Sequence, residues 1–373
     1  MHIDTRPLFE PFKLGPLALP NRIVMAPMTR SMSPGGVPGP DVAAYYRRRA
    51  ENDVGLIITE GTLVEHAAAG NDPNVPRFFG ADALAGWAGV VAEVHAGGGR
   101  IMPQLWHIGS MRRTSDSPNP GTPPASPSGL SKPGKRVAEP VAATEIENLI
   151  AAFAKAARSA HELGFDGIEI HGAHGYLVDQ FFWAGTNERD DAFGGDLQRR
   201  ALFAAEIVAA CRAATAPDFP IVLRFSQWKQ QDYGARLATT PDELSAFLAP
   251  LVVAGVDIFH CSTRRFWEPE FAEVDGNEGM NLAGWVKKLS GKPSITVGSI
   301  GLETDFIETF KAQSVGTGVA HLSRLVQMVG AGEVDLAAVG RALITDPAWA
   351  QKLRAGQLDQ FLPYARASLA SLV

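Results

Sequence analysis

At 373 residues, 46% of them apolar, the chain has material for one large core or two ordinary ones, and single (β/α)-barrels commonly occupy this range. A formal charge of −6 with Lys and Arg scattered argues against a nucleic-acid surface, and the two isolated cysteines, Cys211 and Cys261, are too few for a disulfide framework, a zinc site or an iron–sulfur cluster. Residues Met1 to Pro7 have no apolar signal core and no later run approaches the length of a membrane span, so a soluble, cytoplasmic protein is expected.

In chain order, Phe9, Phe12, Leu14, Leu17 and Leu19 around Gly15-Pro16 predict a small hairpin over residues 8–20, placed to plug the bottom of the main fold. The apolar strand at 22–26 then runs into Pro27, Met28 and Thr29, and a proline that removes a ladder donor belongs where a strand stops. From there strand and helix alternate. A helix at 41–53 leads to a strand at 54–60 that ends in Gly61, and a helix at 81–97 leads to a strand at 100–107 that carries Gln104 and Trp106. The amphipathic stretch 144–163 precedes a strand in which Ile168 and Ile170 alternate with polar residues, and which stops in His171-Gly-Ala-His174-Gly-Tyr176. Helices at 196–214, 241–254, 281–290 and 302–312 precede strands at 220–225, 256–261, 294–299 and 334–341. Strands separated by helices imply parallel pairing, and eight such units imply a closed (β/α)8 barrel as a single domain spanning 1–373. A doubly wound sheet is disfavoured because no Gly-x-Gly-x-x-Gly follows the first strand.

Residues 110–140 depart from this rhythm. They carry seven prolines from Pro118 to Pro140, together with Arg112, Arg113, Lys132, Lys135 and Arg136, so they form no packed helix. Following the third strand, on the carboxyl face, the segment fits either an active-site lid or a solvated loop.

Active sites of such barrels are built from strand ends. Collecting these gives Pro27-Met28-Thr29, Gly61, Gln104 with Trp106, His171 with His174 and Tyr176, Arg224, Gly298-Ser299 and Gly340-Arg341. The amides of Gly298, Ser299, Gly340 and Arg341, on the last two strands, suit a phosphate, and the remaining donors suit a large, flat, heteroatom-rich ring. Two imidazoles and a phenol on one turn can hold an oxyanion and deliver a proton. The alternatives for single members are plain: Arg224 pairs with a core carboxylate such as Glu169, Trp106 packs, and His171 with His174 forms a structural pair or ligates the metal of a barrel hydrolase.

Several stretches in the right order resemble the Old Yellow Enzyme family of flavin-dependent ene-reductases: Asn21-Arg-Ile-Val-Met-Ala-Pro-Met-Thr-Arg30, Ile58-Thr-Glu-Gly-Thr62, Gln104-Leu-Trp106, Asp166 to Phe182, Thr186 to Gly195 and Val339-Gly-Arg341. The resemblance implies a non-covalent FMN and NAD(P)H as co-substrate. Pro27, Met28, Thr29 and Gly61 would then lie along the isoalloxazine and Gln104 at its pyrimidine edge, with Arg224 near N1 and O2. Gly298, Ser299, Gly340 and Arg341 would take the phosphate. Trp106, His171, His174 and Tyr176 would meet a small-molecule enone or nitro substrate, with the histidines on its oxygen and Tyr176 as proton donor. The chain departs from the family pattern in three places. Thr29 stands where one branch has Cys, His174 where other members carry Asn, and Ser-Gln-Trp-Lys follows Phe225 where many have Ser-Pro. The aromatic that some members bring from the C-terminal segment is either Phe361 or Tyr364. A larger relative with an iron–sulfur cluster is excluded by the cysteines. A monomer or a homo-oligomer is compatible with this reading.

Overall fold

A computed structural model describes residues 3–304 and 314–373. Eight parallel strands close into a barrel in chain order: β1 (Ile23–Met25), β2 (Leu56–Leu63), β3 (Arg100–Trp106), β4 (Ile168–His174), β5 (Ile221–Lys229), β6 (Ile258–Ser262), β7 (Ser294–Val297) and β8 (Leu336–Val339), with β8 pairing back onto β1. Inside it, side chains stack in layers set by the two-residue period of a strand. At the amino-terminal end Leu56, Met102, Val222, Ile258, Ile295 and Leu336 form one apolar cluster with Phe12, Leu17 and Leu19 of the hairpin Phe12–Leu14/Leu17–Leu19, so the hairpin seals the bottom. Two residues further along the strands, Met102 gives way to Gln104, Val222 to Arg224 and Ile258 to His260, all buried. The apolar plug thus supports a polar layer, and the site sits on top of that layer.

The helices start and stop where local chemistry dictates. The Thr240 hydroxyl accepts the Glu243 N–H at 3.2 Å ahead of Pro241, and Gly255 ends that helix (Pro241–Ala254) in the left-handed region at φ 106°. Asn281 caps the next helix, Leu282–Ser290, and its amide also donates to the Phe266 carbonyl and the Thr296 hydroxyl, pinning that helix to β7. Helix Ala143–Glu162 buries Ile146, Leu149, Phe153, Ala156, Ala157 and Ala160, the one-sided stripe its amphipathic pattern implies.

Several expected boundaries move. The segment 196–214 is two helices, Leu197–Arg200 and Leu202–Ala214. Strand β5 runs to Lys229 instead of stopping at Phe225, because pairing with β4 continues past a bulge to His174 and Lys229. The helix expected at 302–312 lies for the most part outside the described residues.

Segment 110–140 is folded against the barrel, with residues 124–130 buried and a small hairpin at Leu130–Lys132/Lys135–Arg136. Arg112 is 2% exposed, and its guanidinium donates to the carbonyls of Gly70, Asp116 (2.9 Å), Pro118 (2.6 Å) and Asn119 (2.6 Å). It is the anchor of the segment and has no free face for a ligand. The Met111 sulfur accepts from Gln231 at 2.9 Å, beside Gln230, which lines the cavity described next, but no residue of the segment itself lines that cavity.

Candidate active site

A cavity of about 290 Å³ opens at the carboxyl end of the barrel. Its wall brings together Pro27, Met28 and Thr29 after β1, Gln104 and Trp106 of β3, His171, His174 and Tyr176, Arg224 of β5, Gly298 and Ser299 after β7, and Gly340 and Arg341 after β8. Of the positions collected from the strand ends, Gly61 alone stays outside: a Cβ built there meets the Trp106 ring at 2.5 Å, so the glycine makes room for the indole. Sequence reasoning missed Trp228, Gln230, Ser262, Thr263 and Arg264, which also line the cavity. Trp228 had a readable signal, since it stands four residues beyond Arg224 on the same face of a strand. The sixth strand end, Ser262-Thr263-Arg264, was overlooked although every barrel strand delivers residues to this face. From the C-terminal segment Tyr364 lines the cavity, while Phe361 stacks on Trp349 at 5.3 Å.

The aromatic and imidazole rings are held by one another. Trp106 stands edge-on to Tyr176 at 5.0 Å and parallel to His171 at 6.1 Å, and His171 contacts Tyr176 at 5.0 Å and His174 at 5.3 Å. His171 Nδ1 accepts the Ala173 N–H at 3.3 Å, which leaves Nε2 as its proton-bearing nitrogen. His174 sits in the left-handed region at φ 65°, rare for a residue with a side chain; its N–H donates to the Ser226 hydroxyl at 2.9 Å and its ring lies on Trp228 at 4.5 Å. Burial first, then the neighbouring Arg224, hold both histidines well below the ordinary imidazole pKa, so both are neutral at pH 7. Burial raises the Tyr176 phenol above its usual 10.0, against a hydrogen bond from the Gln230 side chain, so it stays protonated.

On the floor, Gln104 donates to Glu169 Oε1 at 2.8 Å and His260 Nδ1 lies 2.6 Å from Glu169 Oε2. Glu169 is therefore engaged by Gln104 and His260, and Arg224 has no direct bond to it. Arg224 donates from Nη2 to the Ser262 hydroxyl at 3.3 Å, and its buried Nε has no partner among the described residues. Burial pulls its pKa below the ordinary arginine value, opposed by the charge of Glu169. A buried guanidinium with an unsatisfied N–H calls for an acceptor from the cavity. This fits an electron-rich heterocycle laid across Gln104 and Arg224, and the residues present therefore suit a flavin.

Comparison with known proteins agrees. Residues 7–360 match the model of the NADH:flavin oxidoreductase / NADH oxidase family. The chain belongs to this family, that of Old Yellow Enzyme. It is an FMN-dependent oxidoreductase that uses NAD(P)H. The chain is 32% identical over 346 residues to a putative 12-oxophytodienoate reductase 2 of Oryza sativa subsp. japonica, covering 91% of this chain and 85% of that one. It is 34% identical to an NADH oxidase of Thermoanaerobacter brockii over 95% of its own length but only 51% of that longer protein. Among solved structures, morphinone reductase in complex with tetrahydroNAD superposes with a TM-score of 0.79 at 28% identity, covering 97% of this chain and 93% of that one. The Old Yellow Enzyme homologue of Zymomonas mobilis gives 0.76 at 25% identity, covering 97% and 96%.

The metal-hydrolase alternative for His171 and His174 gives way to this family assignment. Among the described residues no group of three or more His, Cys, Asp or Glu is placed to hold a metal ion, so the pair lacks a third ligand. Among the same residues no helix is long and apolar enough to cross a membrane.

Proposed function

We propose that this flavoenzyme reduces the activated C=C bond of α,β-unsaturated carbonyl or nitro compounds. The observation that carries the reading is the convergence of two neutral imidazoles and a protonated phenol, each ring within 5.3 Å of His171, against the indole of Trp106. Such a set donates hydrogen bonds to an oxygen that gains charge and supplies a proton nearby.

FMN, once bound, would supply the hydride chemistry that connects NAD(P)H to the substrate's β-carbon. In this reading Pro27, Met28 and Thr29 line the ring system, Gln104 bonds its pyrimidine edge, and Arg224 places positive charge where the ring gains electrons. The amides of Gly298, Ser299, Gly340 and Arg341 hold the phosphate. His171 and His174 bind the carbonyl or nitro oxygen, fixed donors whose hydrogen bonds strengthen as charge develops there. Tyr176 delivers the proton to the α-carbon. Trp106 and Trp228 wall the pocket and orient the substrate's plane.

The test is anaerobic reduction of the bound flavin by NADH and by NADPH in turn, followed by mixing with 2-cyclohexenone and with a nitroalkene. Flavin reoxidation with formation of the saturated product supports the proposal; reoxidation by dioxygen but by no alkene of the panel sinks it.

A further inference from the structure

The hydroxyl of Ser262 lies between two residues of the site, with its Oγ 2.8 Å from His174 Nε2 and 3.3 Å from Arg224 Nη2. Ser262 ends β6, two residues beyond His260 on the inward face, and is 3% exposed. A guanidinium only donates, so Oγ accepts from Arg224. The hydroxyl hydrogen of a buried serine needs an acceptor of its own, and among the described residues His174 Nε2 is the one within reach. A proton on Nε2 would set two donors against the same oxygen and leave the serine hydrogen with no acceptor.

The structure assigns Ser262 as the positioning residue of His174: by donating to Nε2 it fixes the neutral tautomer with the proton on Nδ1, the nitrogen with no partner among the described residues, which turns to the substrate oxygen. This rests on the reading that His174 meets that oxygen. Turned over about Cβ–Cγ, the ring would set a carbon against Ser262 Oγ and lose that hydrogen bond. It is stacked on Trp228 at an interplanar angle of 27°, Trp228 is tied by its indole N–H to the Ser262 carbonyl at 3.2 Å, and the His174 backbone is held by Ser226. The two histidines thus present opposite nitrogens, Nε2–H from His171 and Nδ1–H from His174, so that two donors reach one oxygen from neighbouring positions on a single strand. It also links the cation assigned to the flavin, Arg224, to the substrate donor through one hydroxyl.

The test is long-range proton–nitrogen NMR on the FMN-loaded protein labelled with ¹⁵N in histidine, with His174 assigned by its loss in His174→Asn. An unprotonated Nε2 and a protonated Nδ1 are expected in the native protein and in Ser262→Thr, and a mixture of tautomers in Ser262→Ala. Affinity for 4-hydroxybenzaldehyde, a phenolate that stands in for an enolate, should fall about tenfold in Ser262→Ala, the loss of about one hydrogen bond. It should fall no further in Ser262→Ala/His174→Ala than in His174→Ala alone. A protonated Nε2 in the native protein overturns the assignment even if Ser262→Ala does not fold, and so do additive losses in the double variant. A protein with the expected tautomer that reduces no alkene retires the proposed reaction and leaves the role of Ser262 standing.

Discussion

Asp179 and Lys229 form an ion pair of 2.7 Å in which neither side chain touches solvent. The second Asp179 oxygen accepts the Gly175 N–H at 2.7 Å, and Lys229 Nζ donates to the Ser226 carbonyl at 2.9 Å. The pair therefore locks the turn that carries Tyr176 to the end of the strand whose Ser226 holds His174. Removing one partner strands a buried charge, so Lys229→Met should cost about 3–5 kcal/mol of unfolding free energy. Asp179→Leu/Lys229→Met should recover most of that loss in urea denaturation, yet bind phenols more weakly than the native protein. A single variant within about 1 kcal/mol of native would show the pair to be dispensable.

Glu60 offers a pH test. Its carboxyl is buried behind the Pro27–Thr29 loop and accepts the N–H groups of Arg30 at 2.8 Å and Ser31 at 3.1 Å. Burial raises its pKa to about 7, against those two hydrogen bonds. The folded carboxyl then holds its proton more tightly than the unfolded one. Its contribution to stability is present in full below the unfolded value of 4.5 and is lost as pH rises through about 7. The interval corresponds to on the order of 3 kcal/mol. Glu60→Gln keeps an acceptor oxygen for both amides and has nothing to ionise. Between pH 5 and 8, at roughly 1.4 kcal/mol for each pH unit of pKa difference, the variant should gain on the native protein. Parallel urea-derived stability curves for the two proteins would refute this.

The barrel was legible because each strand and cap announces itself locally, as Thr240-Pro241 and Gly255 do around one helix. Residues at the other strand ends were legible because closing a barrel sends every strand end to one face, and the same rule points to Ser262, Thr263 and Arg264 after β6. What stayed hidden was decided by distant neighbours. A glycine in a barrel strand serves a ligand's approach or a ring's width equally well, and only the packing shows that the Trp106 ring occupies the space a side chain at Gly61 would need. Proline density in 110–140 rules out a helix but does not say that Arg112 will collect five carbonyls, Thr122 among them, and fold the segment down. Phe361 and Tyr364 are three residues apart, and the pairing of Tyr364 with Val315 selects which of them faces the cavity. The role of Ser262 needs Arg224 and His174 both placed, which no single stretch of sequence encodes.

Arg224→Leu should lower the reduction potential of the bound flavin or loosen FMN itself. A fixed positive charge favours the electron-rich reduced ring, and in an apolar pocket that stabilisation is lost outright. Potential measured by dye equilibration, together with FMN retention on dialysis, reads both outcomes. Native values for both would remove Arg224 from contact with the isoalloxazine.

Tyr176 gives the sharpest test of the chemistry. It begins the helix Leu177–Phe182, and its ring is held edge-on by Trp106 and His171, so Tyr176→Phe keeps the packing and deletes one hydroxyl. A phenol kept protonated by burial serves as an acid toward the α-carbon but has no part in hydride arrival from the nicotinamide. Reduction of the flavin by NAD(P)H should therefore proceed at nearly the native rate in the variant, while turnover of 2-cyclohexenone slows by about 10²–10⁴, the usual contribution of a placed general acid. Nitroalkenes supply the internal control. Hydride addition to them gives a stabilised nitronate that leaves before it is protonated, so their consumption should survive the mutation and free nitronate should accumulate. Stopped-flow traces of the two half-reactions decide the matter: unchanged enone turnover in the Phe variant, or an equal loss in flavin reduction by NAD(P)H, would take the proton transfer away from Tyr176.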